Sequence, residues 1–160
     1  TQMTFNAYAL GHYIGSSRNF KEAVDMAYEH MGVVTDQDQN LVWDRVNRQP
    51  IVNIKDPMAK AGKLLRYLND FTVSQEFEGG LLMVDARECS LSQILYFIDK
   101  GTPVIAYTGT DTYILLSGYD QYNVTLYDPE TQESWKMGMN DATAYFESLQ
   151  NDFICGKIVQ

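Results

Sequence analysis

Cysteine and histidine are the side chains in this sequence that could together supply a nucleophile and its base. The chain has two of each: Cys89, Cys155, His12 and His30. Cys89 directly precedes Ser90, where a helix is predicted to start, and a helix N-terminus lowers the pKa of a thiol. One hypothesis is therefore a cysteine hydrolase in which Cys89 attacks and a histidine accepts the proton. The alternative, which we favour, is a small apolar residue in a strand-to-helix loop.

A second constellation could hold a metal ion. Asp36, Asp38 and Asn40 occupy the first three ligand positions of a calcium-binding loop. The sixth position is Leu41 instead of glycine, and the twelfth is Asn47 instead of glutamate. We therefore interpret this stretch as a polar hairpin tip and only a weak calcium candidate. Two cysteines cannot form a four-thiolate zinc site, and no cofactor is expected.

The overall charge bears on which partners are compatible with the chain. Its 160 residues carry 12 Lys and Arg against 21 Asp and Glu, a net charge of −9. Such a field repels phosphate backbones, so we expect no nucleic-acid partner. No apolar run approaches the roughly 18 residues of a membrane span, so no membrane insertion is expected. Glycine-rich phosphate-binding motifs are also missing from the sequence.

The elements that would position these residues begin with a helix over residues 20–31. Asn19 and Glu22 form a capping pair before it, and Gly32 is the expected stop after it. One apolar stripe follows helical spacing: Phe20, Ala23, Val24, Ala27, Tyr28 and Met31. Short strands flank this helix on both sides, within residues 5–14 and 33–43. The first ~50 residues are therefore predicted to form a ββαββ unit. A further strand is predicted at 51–54, and the small subdomain is predicted to span residues 1–54.

Residues 55–160 are predicted to form a second, larger domain. Asp56 and Pro57 begin a helix as its N-cap and first residue. Ser90 with Gln93 is a capping box for the next helix, and Asn140 is the expected cap of the last one, which runs to residue 149. Apolar runs separated by turn residues predict strands at 81–84, 103–107, 113–117, 123–127, 132–137 and 153–159. Helices packed on a mostly antiparallel sheet make this an α+β chain.

Part of this second half resembles a known family. Residues 101–105 (Gly-Thr-Pro-Val-Ile), 112–120 (Thr-Tyr-Ile-Leu-Leu-Ser-Gly-Tyr-Asp) and 126–129 (Leu-Tyr-Asp-Pro) are similar to the C-terminal half of papain-like cysteine peptidases. The resemblance is to the bacteriocin-leader-processing, double-glycine type of these peptidases. The resemblance spans residues 56–159 and implies a papain-like fold.

The resemblance also implies where the catalytic residues of that family would fall. The nucleophilic cysteine falls on Asp56 and the histidine on Thr112, and only the third member is kept, as Asp128. No histidine follows His30, so a Cys-then-His order is impossible in this sequence. Without an imidazole there is no general base for the thiol, so the resemblance implies a degenerate peptidase. The preferred interpretation of Asp128 is a turn residue before Pro129.

The whole chain is also similar to modules of secreted, multi-domain cell-envelope proteins of Gram-positive anaerobic bacteria. The strand Val42-Trp43-Asp44-Arg45 carries that similarity. The first subdomain is weakly similar to SPOR-like peptidoglycan-binding modules. These resemblances imply an extracellular or cell-surface location, with other domains of the same polypeptide as partners.

Three functions are consistent with these observations. The first is a non-catalytic binding module whose groove holds an extended peptide or a cell-wall glycan, with Tyr107, Tyr113 and Tyr119 at its rim. For these tyrosines, packing within the sheet is the competing interpretation. The second function is the Cys89 hydrolase. The third is a spacer, or a piece of an enzyme that is catalytic only with a missing upstream segment.

Overall fold

The computed structural model describes residues 4–44, 51–68, 81–109 and 112–158. Within them the chain forms eleven strands and four helices, and the strands pair antiparallel in two sheets, which confirms the α+β class. In chain order the elements are β1 (Phe5–Ala9), β2 (His12–Ser17), α1 (Phe20–Glu29), β3 (Val33–Asp36), β4 (Leu41–Asp44), β5 (Ile51–Asn53), α2 (Pro57–Leu68), β6 (Leu81–Asp85), α3 (Leu91–Asp99), β7 (Val104–Tyr107), β8 (Tyr113–Asp120), β9 (Asn123–Asp128), β10 (Glu133–Gly138), α4 (Met139–Ser148) and β11 (Phe153–Ile158).

The smaller sheet has four strands in the order β2-β1-β3-β4. Side chains alternate across a strand, so Phe5 and Ala7 of β1 are buried whereas Asn6 and Tyr8 are only partly buried. Helix α1 covers the inner face with its buried stripe, which consists of Phe20, Ala23, Val24 and Ala27. This sheet and helix follow the predicted ββαββ order.

The larger sheet has the order β10-β9-β8-β7-β11-β6, and β5 also pairs with β8. One edge of β8 is shared, because β7 pairs with its first half and β5 with its last three residues. The backbones of β5 and β8 approach each other closely at Gly118. A Cβ atom placed on Gly118 would lie only 2.2 Å from the carbonyl oxygen of Val52.

The central strands of the larger sheet are buried on both faces, whereas the edge strand β10 is mostly exposed. In β7, Val104 and Ala106 belong to the main core whereas Ile105, between them, belongs to a second cluster. The same alternation holds in β8 and β11, where Leu115 and Ile154 join that second cluster. Helix α2 contributes the buried Ala61 to it, while α3 and α4 contribute to the main core. Burial on both faces explains why these strands have continuous apolar sequences.

The main core is continuous from the small sheet to the large one. The Phe20 ring lies 5.2 Å from Phe5 and 5.0 Å from Phe97, edge to face in both cases. The side-chain amide of Gln93 donates to Asp25 at 3.0 Å, joining α3 to α1. Strand β5 lies before the predicted boundary at residue 54, yet it pairs with the larger sheet. The domain division at residue 54 therefore stays a prediction, and the residues on its two sides pack in one continuous core.

Most of the predicted helix starts are confirmed. Asn19 accepts a hydrogen bond from the Glu22 amide, Asp56 accepts one from the Ala59 amide, and Ser90 and Gln93 form the full capping box. The cap predicted at Asn140 is wrong. Helix α4 begins at Met139, and its N-cap is Gly138, with no side-chain cap.

The end of α1 also differs from the prediction. Met31 is 72% exposed instead of continuing the apolar stripe, and it takes the left-handed conformation with a φ of 55°. Gly32 has a different role, because a Cβ there would lie 2.0 Å from the carbonyl oxygen of Tyr8. The glycine is needed for close approach to β1.

Candidate functional site

The three positions that the peptidase resemblance points to lie at the start of α2 and at neighbouring ends of β8 and β9. Thr112 directly precedes β8, and Asp128 ends β9, its antiparallel neighbour. Asp56 directly precedes α2, whose Ala61 packs in the second cluster with Leu115 of β8. The side chains of Asp56 and Thr112 offer neither a thiol nor an imidazole for peptidase chemistry.

Asp128 and Thr112 each have a local structural role. The Asp128 carboxylate accepts from the Glu130 amide at 2.9 Å, and its carbonyl accepts from the Gln132 amide at 2.7 Å. This matches the interpretation of Asp128 as a turn residue. The Thr112 hydroxyl is bonded to the Thr108 hydroxyl at 2.9 Å, closing the β7–β8 connection.

Cys89 lies in the main core with 0% of its surface exposed. Burial raises the pKa of its thiol to about 12, and the nearby carboxylates of Asp25, Asp85 and Glu88 add to the increase, whereas Lys21 opposes it. This is the opposite of the lowered pKa that a nucleophilic thiol needs. His12 and His30 are both exposed on the surface.

We expect Cys89 to react slowly with iodoacetamide in the native protein from pH 6 to pH 9. The raised pKa keeps the thiol protonated, and burial keeps the reagent out. Above about pH 8.5 only the unfolded state loses this proton, so stability should also fall as pH rises. The rate is measured by mass spectrometry of the Cys89 peptide, with the same protein in guanidinium as the fast control. A native rate at pH 6 above that of a free thiol would revive the hydrolase hypothesis.

The calcium candidate is built as a hairpin tip. Asp36 is 1% exposed, and one of its carboxylate oxygens accepts from the backbone amides of Asp38 and Asn40, both at 2.9 Å. The other oxygen accepts from the Asn40 side chain at 3.3 Å. Across the described ranges, no group of three or more Asp, Glu, His or Cys side chains is arranged to hold a metal ion.

Three partly buried tyrosines of the larger sheet form what we call the aromatic shelf: Tyr107, Tyr113 and Tyr127. Tyr107 and Tyr113 are direct cross-strand partners with ring centroids 6.4 Å apart. Tyr127 lies opposite Leu115 on the next strand. Side chains alternate between the two faces of a strand, and the residues next to these tyrosines belong to the main core. All three tyrosines therefore lie on the other face of the sheet, where α2 packs.

Tyr119, the third tyrosine predicted to bind, lies elsewhere. It is 4% exposed, belongs to the main core, and its hydroxyl donates to Asp99 at 3.1 Å. A buried, hydrogen-bonded phenol cannot line an open groove, so Tyr119 is not part of the shelf.

A cleft of about 390 Å³, which we call the polar cleft, lies next to the shelf. Its lining residues come from the N-cap of α1, the end of β6 with the loop that follows it, and the α4–β11 loop: Asn19, Asp85, Arg87, Glu88, Gln150 and Asp152. Asp152 joins the cleft to the shelf, because its carbonyl accepts from the Tyr107 amide at 3.0 Å.

An ion pair holds one wall of the polar cleft. The Arg87 guanidinium donates to both oxygens of Asp85, at 2.9 and 2.6 Å, and the Arg87 amide donates at 3.1 Å. Burial alone would raise the pKa of Asp85, but these hydrogen bonds outweigh it and lower the pKa. Burial and the nearby Asp152 carboxylate raise the pKa of Tyr107, so its phenol stays a hydrogen-bond donor.

The sequence alone indicates the tyrosines of this site but not the polar cleft. Tyr107 and Tyr113 could be proposed because aromatic side chains are frequent in that segment. The polar cleft could not, since Asp85 and Asp152 are 67 residues apart and meet only through the pairing of β6 with β11. The one local signal is the charged run Asp-Ala-Arg-Glu at 85–88, between a strand and a capping box.

None of the described helices is both long and apolar enough to cross a membrane. Compared with protein-family models, curated proteins and solved structures, the chain matches none of them.

Proposed function

We propose that the chain is a non-catalytic binding module that holds an uncharged glycan on the aromatic shelf and in the polar cleft. The observation that carries this proposal is the continuity of the two features at Asp152. A tyrosine ring has an apolar face that can cover the C–H face of a sugar, and its hydroxyl can bond a sugar hydroxyl. A cleft lined by carboxylates and amides supplies further acceptors and donors for hydroxyl groups.

The charge of the site favours a neutral ligand over an acidic one. The polar cleft has three carboxylates, those of Asp85, Glu88 and Asp152, against the single guanidinium of Arg87. The chain as a whole carries −9. A uronic acid polymer or a phosphorylated glycan would be repelled by both. An oligosaccharide of N-acetylated amino sugars has no such penalty.

The proposal keeps the papain-like scaffold and the cell-surface location as parts of the same hypothesis. Their support is the resemblance of residues 56–159 to double-glycine peptidases and of the whole chain to cell-envelope modules. The burial of Cys89 in the main core is consistent with a module that binds without cleaving.

The test is calorimetric titration with a tetrasaccharide of N-acetylglucosamine. We expect Tyr113→Ala to weaken binding by on the order of tenfold, because it removes one stacking face. Asp152→Asn should weaken it less, since the amide keeps one acceptor. The matched control is Tyr122→Ala, which truncates a tyrosine that is 72% exposed on the β8–β9 turn.

Two outcomes would contradict the glycan proposal. One is that no binding occurs, or that Tyr122→Ala weakens it as much as Tyr113→Ala. The other is that Tyr113-dependent binding is found for an unstructured peptide of Lys, Gly and Ser but not for the tetrasaccharide. The shelf would then be a peptide site.

A further inference from the structure

Strand β2 is the open edge of the smaller sheet. Its neighbour is β1, and the order β2-β1-β3-β4 gives it no second partner among the described residues. Every second residue of an edge strand directs its backbone N–H and C=O groups away from the sheet. Those groups form a template for another extended chain.

Strand β2 lacks the charged side chains that β4, β6 and β10 carry, and its pairing with β1 contains one register shift, between Ala7 and Tyr8. Charged side chains and prolines are the usual means by which proteins keep edge strands from pairing. Strand β10 carries Glu133 and Lys136, β6 carries Asp85 and β4 carries Asp44. Strand β2, with the sequence His-Tyr-Ile-Gly-Ser-Ser, has no Asp, Glu, Lys, Arg or Pro.

The surface beside β2 is apolar where a new strand would place its side chains. Tyr13 is 59% exposed and packs edge to face on Tyr8, with centroids 5.7 Å apart. Leu10, in the β1–β2 turn, is 97% exposed. An added strand would therefore gain both backbone hydrogen bonds and apolar contacts.

We propose that β2 binds an extended, basic peptide segment as a fifth strand of the smaller sheet. The backbone groups of β2 require an extended chain, and Tyr13 and Leu10 favour β-branched or aromatic side chains on it. The net charge of −9 favours a peptide that carries Lys or Arg. This site is separate from the aromatic shelf and does not depend on the glycan proposal.

A peptide fits this edge better than a second copy of the chain. Strand β2 offers six residues, whereas a stable interface uses about 20–30 residues on each side. Two copies would also bring together two chains that each carry a net charge of −9. A short segment with opposite charge meets neither obstacle.

The experiment selects peptides from a phage-displayed library of random 12-residue sequences on the intact chain. Synthetic copies of the enriched peptides are then bound, and hydrogen–deuterium exchange is measured across the chain. We expect slowed exchange at residues 12–17 and enrichment of Lys or Arg with Val, Ile, Thr or Tyr. Ser16→Lys puts the missing charge on an exposed position of β2 and should weaken binding by about fivefold, the ceiling for one surface charge. Ser134→Lys does the same on β10 and is the matched control.

Several results would overturn the proposal. They are failure to enrich any peptide, protection by the peptides only outside residues 12–17, and equal weakening by Ser16→Lys and Ser134→Lys. Protection of β2 that grows with protein concentration without peptide would assign the edge to a second copy instead.

Discussion

Replacing Phe20 with alanine is expected to lower the free energy of unfolding by about 4 kcal/mol, within the range for a buried phenylalanine. Phe20 is fully buried and is the ring between Phe5 of the small sheet and Phe97 of α3. Its loss leaves a cavity at the junction of the two sheets and removes both edge-to-face contacts. Because whole domains are stable by only 5–15 kcal/mol, urea denaturation should show a much lower midpoint.

The control and the reporters for this prediction come from the chain itself. Phe20→Leu keeps most of the volume and should cost less than half as much. Trp43 reports on the small sheet and Trp135 on the large one, so Trp43→Phe and Trp135→Phe isolate one signal each. A continuous core predicts coincident transitions at both. If Trp43 lost its native signal first, residues 1–54 would be an independent unit.

Gly118→Ala should destabilise the protein by roughly 3 kcal/mol, the upper end for added volume in a packed interior. The new methyl group would lie 2.2 Å from the Val52 carbonyl oxygen, a backbone atom. Relief requires β5 to move away from β8, which would break the pairing of Val52 with Tyr119 and of Asn53 with Gly118. The Ile54–Ser117 hydrogen bond that fixes the start of α2 would be strained as well.

Gly62→Ala is the matched control for that prediction. Gly62 lies within α2, and a Cβ there would meet nothing within 4 Å. Alanine favours a helix over glycine, so this variant should be neutral or slightly more stable. The measurement is the melting temperature of each of the two variants, compared with that of the parent protein. Equal melting temperatures for all three proteins would mean that β5 can shift without cost.

Helix caps could be predicted from the sequence, whereas contacts between distant parts of the chain could not. Asn19, Asp56 and the Ser90–Gln93 box are readable because a cap involves residues only three positions apart. The cap predicted at Asn140 was wrong because the N-cap of α4 is Gly138, two residues earlier, which has no side-chain cap. The helix end predicted after Met31 was wrong because this apolar residue takes the left-handed conformation that glycine is expected to take.

The candidate site depends on pairing across long stretches of chain. Cys89 precedes a helix as predicted, but its local position says nothing of the core that closes over it and raises the pKa of its thiol. Tyr107, Tyr113 and Tyr119 look alike in sequence, yet the first two take one face of the sheet and Tyr119 the other. A register shift at Ser117, between Leu116 and Gly118, changes which face the later residues take. That irregularity has no clear sequence signature.

Strand β11 sets the order in which the larger sheet can be completed. It is the last strand of the described chain, yet it lies inside the sheet, between β7 and β6. Strand β6 pairs with β11 and, among the described residues, with no other strand, across about 70 residues of sequence. During synthesis, β6 therefore meets its partner among the described strands only when β11, about 70 residues later, has left the ribosome. The hairpins β7–β8 and β9–β10 can form early, because their strands are close in sequence. Closure of the sheet is a late, long-range event. We therefore expect this topology to fold slowly and the nascent chain to need protection by chaperones.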